Sequence, residues 1–306
     1  MTSRVGRLVR RVPLLVGASA IAVLALAPPD AAPALRQQGE LKSDIFVIDV
    51  AGNNLRQVTH GVDDARYESP VWSRNGRTLA FSGTSCGDCA SSLSVVDAKS
   101  GQTRPVRAAV ISAARPSFAP NGRRLVFVGG DANAVYAVNA NGAGLKRLTH
   151  DRAAHDQAVW SPDGRHIAYT RQQPNGQWDL YVMNADGSHP RALTHTKVSE
   201  EQPAWSPDGR RIAFVRQRGG LWSIYVLQLG RPGAHRITRG AVDEENPSWS
   251  PDGKRLAFVR IDGRRSQIYI ERADGRGAKL LQTGLAFSFN PAWAPDGKTI
   301  AFAARD

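Results

Sequence analysis

The chain has 306 residues, 40 Lys and Arg against 27 Asp and Glu, a net charge of +13, and only two cysteines. That composition is too apolar and too weakly charged for a disordered chain, and two cysteines cannot supply a disulfide-rich scaffold. A strong positive balance raises nucleic-acid binding as a question.

The first 34 residues differ from the rest. Arg4, Arg7, Arg10 and Arg11 precede sixteen uncharged residues, Val12 to Ala27, and then small residues and prolines. A basic start, a short apolar run and Ala-x-Ala options read as a secretory signal, with a retained anchor as the alternative. The expected organisation is a signal peptide at 1–34, a linker at 35–43 and one folded domain at 44–306. The chain is then secreted or periplasmic, or membrane-anchored if the signal stays uncleaved. Removing the signal takes away four arginines and Asp30, leaving about +10 of the +13. Export and the scatter of the charge around turns argue against nucleic acid. After cleavage no stable membrane insertion is expected, and the chain should be a monomer.

From residue 44 onwards one unit recurs. Trp205-Ser-Pro-Asp-Gly is matched by Trp72-Ser-Arg-Asn-Gly, Phe118-Ala-Pro-Asn-Gly, Trp160-Ser-Pro-Asp-Gly, Trp249-Ser-Pro-Asp-Gly and Trp293-Ala-Pro-Asp-Gly. The lead aromatics lie 46, 42, 45, 44 and 44 residues apart, a period that marks a propeller or solenoid. Proline presets φ, aspartate or asparagine bonds its own backbone, and glycine accepts φ > 0, so each unit is a β-hairpin. A second hairpin follows, starting with runs such as Ile45-Phe-Val-Ile-Asp, Leu180-Tyr-Val-Met-Asn and Ile224-Tyr-Val-Leu-Gln and ending near Leu-Thr or Ile-Thr.

Two hairpins per period make a four-stranded blade, and radial repetition protects the sheet edges. The expected fold is an all-β, six-bladed β-propeller with four antiparallel strands per blade. The chain opens with the second hairpin and ends with the first. Residues 44–59 should therefore complete the blade begun by 290–303 and close the ring.

Strand direction puts the Pro-Asp-Gly turns, with Arg77, Arg123, Arg124, Arg165, Arg210, Arg211, Lys254, Arg255 and Lys298, on one face, which should be basic. At the opposite end of the inner strands, the position four before each aromatic holds Glu68, Ala114, Asp156, Glu201, Glu245 and Phe289. The next position holds Ser69, Arg115, Gln157, Gln202, Asn246 and Asn290. One reading is an acidic funnel that takes a cation, or a lysine or arginine of a partner. The other has each carboxylate bonding backbone N–H groups of the neighbouring blade to hold register. If a metal entered, oxygen donors would suit calcium or magnesium, but no compact loop motif supports a metal site and no cofactor is expected.

Trp178 and Trp222 lie on the same side, either as anchors for a partner or as caps on a hairpin edge. His155 is the one histidine beside the acidic register, a candidate base or an ordinary, partly exposed imidazole. Cys86 and Cys89 are expected to form a small disulfide, the alternative being a catalytic dithiol. Gly83-Thr-Ser-Cys-Gly matches a nucleophile elbow only in letters, because no strand-to-helix context accompanies it.

Pro203-Ala-Trp-Ser-Pro-Asp-Gly-Arg-Arg-Ile-Ala-Phe, with Asp179-Leu-Tyr-Val-Met-Asn-Ala-Asp-Gly and Leu193-Thr194, resembles the TolB-type, WD-repeat-like propeller repeat across 41–306. The resemblance implies a propeller fold and is compatible with partner binding at a channel mouth. TolB places an α/β domain before its propeller, and residues 35–43 are too short to form one. Peptidases that share the repeat carry a separate hydrolase domain with a Ser/Asp/His triad, and no such domain is expected here beside the propeller. The expected function is an exported, non-catalytic scaffold that docks an envelope or extracellular protein or peptide, or a cationic ligand, at the acidic face. The alternative is a propeller enzyme of lyase or hydrolase type with its site at the channel mouth and His155 as acid or base.

Overall fold

The computed structural model describes residues 42–61, 65–84, 91–263 and 265–305. The expected signal peptide, most of the linker, and the pair Cys86 and Cys89 lie outside the described residues.

All regular structure among the described residues is β, in twenty-four strands. Four antiparallel four-stranded sheets follow in chain order. The first is β3 (Arg66–Trp72), β4 (Thr78–Thr84), β5 (Ser92–Asp97) and β6 (Thr103–Val106). The second is β7 (Ala114–Phe118), β8 (Arg124–Gly129), β9 (Ala134–Asn139) and β10 (Lys146–Arg147). The third is β11 (His155–Trp160), β12 (His166–Gln172), β13 (Trp178–Asn184) and β14 (Arg191–Ala192). The fourth is β15 (Glu200–Trp205), β16 (Arg211–Arg218), β17 (Leu221–Gln228) and β18 (Ala234–Arg236).

The remaining strands make two further antiparallel groups. One is β19 (Asp243–Trp249), β20 (Arg255–Asp262), β21 (Arg265–Arg272) and β22 (Lys279–Leu280). The other joins β23 (Phe287–Trp293) and β24 (Thr299–Arg305) to β1 (Asp44–Asp49) and β2 (Arg56–Gln57). A single parallel pair, Ser266 with Phe287, links the two groups. β1 lies antiparallel to β24 over six residue pairs, from Asp44 with Ala304 to Asp49 with Thr299.

The second strand of each sheet is an unbroken apolar run, such as Ile212-Ala213-Phe214-Val215, buried on both sides because neighbouring sheets cover both faces. Core clusters accordingly span adjacent sheets. Ile45, Val47 and Ala301 pack with Leu79 and Phe81, for example.

Two local devices repeat. In each inner hairpin the turn glycine has φ between 66° and 69°, which a side chain would strain (Gly76, Gly122, Gly164, Gly209, Gly253, Gly297). The aspartate or asparagine before it accepts the N–H two residues on, as in Arg210 N to Asp208 Oδ1 at 3.0 Å and Arg77 N to Asn75 Oδ1 at 3.0 Å. In the outer hairpin a threonine hydroxyl accepts the N–H fourteen residues earlier: Thr59 from Ile45, Thr149 from Val135, Thr194 from Leu180 and Thr238 from Ile224. That bond explains the Leu-Thr and Ile-Thr ends seen in the sequence.

Lead aromatics pack against the preceding sheet. Trp249 Nε1 donates to Ala204 O and Trp72 Nε1 to Ala292 O, both at 3.1 Å. Arg211 stacks over Trp249 at 4.5 Å and Arg255 over Trp293 at 4.8 Å. The basic turns are therefore of two kinds. Arg77, Arg123, Arg165, Arg210, Lys254 and Lys298 are exposed, while Arg124, Arg211 and Arg255 are half-buried against the next sheet's tryptophan. No described helix is long and apolar enough to cross a membrane.

Candidate functional site at the inner-strand register

Each inner strand carries a β-bulge at the register picked out in the sequence. The irregularities fall between Glu68 and Val71, Ala114 and Ser117, Asp156 and Val159, Glu201 and Ala204, Glu245 and Ser248, and Phe289 and Ala292. The residue after the acid position is left-handed in all six: Ser69, Arg115, Gln157, Gln202, Asn246 and Asn290 have φ between 50° and 57°. A bulge re-aims side chains that a regular strand would alternate.

The third, fourth and fifth sheets are joined there by side-chain amides. Gln157 Oε1 accepts from Gln202 N at 2.7 Å, and Gln202 Oε1 accepts from Asn246 N at 2.5 Å. Gln202 Nε2 in turn donates to Glu245 Oε2 at 3.3 Å. The expected register lock exists, but the amides make it. Of the carboxylates, Asp156 accepts from the N–H of its own neighbour Gln157 at 2.8 Å and pairs with Arg115 on β7, the inner strand of the preceding sheet. Arg115 thus neutralises one acid of the set.

The remaining acids differ. Glu201 is half-buried and its carboxyl is pushed up to about 7, first by burial, then by the Asp156 and Glu245 charges, with Arg115 opposing. Glu245 is buried and also raised, by burial, with the Gln202 hydrogen bond opposing. Glu68 is exposed. Asn290 lies at the same register on β23, half-buried. Among the described residues no group of three or more His, Cys, Asp or Glu is arranged to hold a metal ion.

His155 is 1% exposed, which overturns the expectation of a partly exposed imidazole. Its Nε2 meets Asp151 Oδ1 at 2.9 Å, and burial holds it below the usual histidine range. Arg171 closes the group by bonding Asp151 Oδ2 at 2.8 Å. At the equivalent places in the next two sheets the sequence offers Glu200 and Glu244 as further acid beside the register, but their burial and their partners were not legible there. Glu200 and Glu244, both 0% exposed, pair with Arg216 at 2.6 Å and Arg260 at 2.7 Å. Those guanidiniums lie over Tyr225 at 4.6 Å and Tyr269 at 4.2 Å. Glu-Glu at 200–201 and 244–245 was the available signal: the first acid meets the arginine opposite it on the next strand of its own sheet, and the second comes just before the bulge.

Trp178 and Trp222 are half-buried. Trp222 packs with Ala213, Val215 and Ile224, and its backbone N–H donates to Asp243 Oδ1 at 2.8 Å.

Sequence comparison matches residues 31–202 and 191–306 to the TolB beta propeller domain. The chain belongs to the TolB β-propeller family. No curated protein matches the sequence. Among solved structures, a TolB candidate from Agrobacterium tumefaciens is 23% identical with a TM-score of 0.75, covering 88% of this chain and 99% of that one. TolB from Acinetobacter baumannii is 20% identical with a TM-score of 0.69, covering 84% and 67%. An oligogalacturonate lyase from Vibrio parahaemolyticus is 13% identical with a TM-score of 0.55, covering 82% and 80%. At these identities the TolB-propeller likeness is one of fold.

Proposed function

We propose that this TolB-family chain is an exported, six-bladed propeller, closed by β1 and β2 against β24, that binds a cationic partner segment at the acidic mouth of its channel. Closure is supported by the six residue pairs between β1 and β24 and by the packing of β3 on both β7 and β23. Export, to the periplasm or beyond, is supported by the residue pattern of 1–34 alone.

One observation carries the binding reading. Glu201 and Glu245 lie on successive inner strands, and both resist ionisation at their places. A lysine or arginine entering beside them would add to the positive charge of Arg115, which is shared with Asp156 and offsets the burial of the two carboxyls only in part. Binding should therefore release the penalty each carboxyl carries. An enzymatic reading built on His155 is not favoured, because that imidazole is buried among Asp151, Thr149 and Tyr169.

The test is a titration of the chain with an Arg- and Lys-rich peptide at low and moderate salt. Binding weakened about tenfold or more in a Glu201→Gln/Glu245→Gln variant, and weakened by salt, is expected. Affinity unchanged in that variant removes the acidic mouth as the docking surface.

A further inference from the structure

The ends of the inner strands away from the acid register turn through six tight loops, each with one exposed cation directly after its glycine. In four loops an aspartate two residues earlier (Asp163, Asp208, Asp252, Asp296) offsets that cation. The first two loops differ. Asn75 and Asn121 make the same turn bonds, to Arg77 N at 3.0 Å and Arg123 N at 2.9 Å, without the negative charge. The first loop also carries Arg74 where its siblings carry proline.

Between these two loops lies a groove of about 490 Å³ lined by Arg74, Asn75, Thr78, Arg104, Phe118 and Asn121, among others, and by no acid. That volume is within the range of small-ligand sites. Arg74, Arg77, Arg104 and Arg123 form no ion pair among the described residues. Arg104 spends one N–H on Ala140 O at 3.1 Å, leaving the rest of its planar fork. Asp97, opposite Thr78 on β5, is occupied in capping the N–H groups of Lys99 and Ser100.

We propose that this groove binds a short acidic oligosaccharide. Guanidinium forks at Arg74 and Arg104 match its carboxylates, and the Asn75, Thr78 and Asn121 side chains supply donors and acceptors for its hydroxyls. An oligonucleotide would need a run of stacking platforms, and Phe118, half-buried, is the one aromatic in the lining. The groove is separate from the acidic register at the other end of the same strands, so it stands or falls on its own.

Calorimetric titration of the full chain with a β-1,4-linked tetraglucuronate, and with cellotetraose as its neutral counterpart, tests the assignment. The acidic tetramer should bind and the neutral one should not. Asn75→Asp/Asn121→Asp, which restores what four sibling loops already tolerate, should weaken binding at least about tenfold by placing carboxylates at the groove. Arg74→Gln/Arg104→Gln should do the same, while Arg210→Gln, on a loop outside the groove, should change it less than about twofold. The proposal is overturned if tetraglucuronate does not bind, if neither double variant weakens it, or if Arg210→Gln weakens it equally. It also falls if a polyglutamate peptide or a short oligonucleotide binds the groove more tightly.

Discussion

At Glu201 burial and the nearby Asp156 act in the same direction, and the Arg115 charge, paired with Asp156, counters them only in part. A carboxyl held near 7 in the fold, against an ordinary 4.5, keeps its proton longer folded than unfolded. The native state then binds more protons between those values, so this group's contribution to stability falls as pH rises from about 4.5 through about 7. Glu201→Gln should therefore raise Tm relative to the native chain at pH 8, by the equivalent of about 1 kcal/mol after allowing for its partial exposure, with the gap closing at pH 4.5. Thermal melts at the two pH values check it, and a gap that is the same at both would contradict it. Calcium or magnesium, if either enters between these acids, should raise Tm at millimolar concentration and fail to do so in the Glu201→Gln/Glu245→Gln variant.

At the scale of the strand, the bulge carries the cost and the amide latch offsets it. A non-glycine residue in the left-handed region costs on the order of 1 kcal/mol, and six inner strands each accept one. Gln202 gains from its latch: its amide accepts from Asn246 and donates to Glu245, and its own N–H is held by Gln157. Ser69 has the same backbone angle, with no side-chain hydrogen bond among the described residues. Gln202→Gly should thus cost about 1–3 kcal/mol more than Ser69→Gly in denaturant unfolding, since glycine relieves strain at both sites and removes bonds at one. The buried pair in β19 and β20 gives a larger effect. Arg260→Ala leaves Glu244, at 0% exposure, without its partner and should destabilise by about 3–5 kcal/mol, whereas Glu244→Gln should cost less.

For the whole molecule, what matters is how the two ends of the folded region meet. β1 contributes Ile45 and Ile48, both essentially buried, to a group in which it pairs with β2 on one side and with β24, from the last residues of the fold, on the other. Removing residues 1–59 should expose the edge of β24 and strip Leu79 and Phe81 of cover from Ile45 and Val47, so the truncated chain should be insoluble or molten. A truncation ending at residue 41 should melt like the full chain. Equal melting of both truncations would show that β1 is dispensable and that the proposed closure contributes nothing.

The repeat period, the turn chemistry and the alternation of apolar runs were legible in the sequence because they are local. Asp-Gly and Asn-Gly turns and threonine hydroxyls act within fourteen residues of their partners. The acidic register was legible as well, since a period of about 44 residues places equivalent positions together whatever else the chain does. Tertiary structure alone decided what each polar group there does. Glu200 and Glu201 are adjacent acids in the regular part of β15, so they point to opposite faces: one meets Arg216, and the other lies near Asp156, Glu245 and Arg115. His155 reads as a surface residue until Asp151, Arg171 and Tyr169 are packed around it. The physical reason is that burial and counter-charge depend on groups that folding brings in from other strands, of the same sheet for the ion pairs and of the next sheet for the amide latches, while turns and strand periods depend on the next few residues.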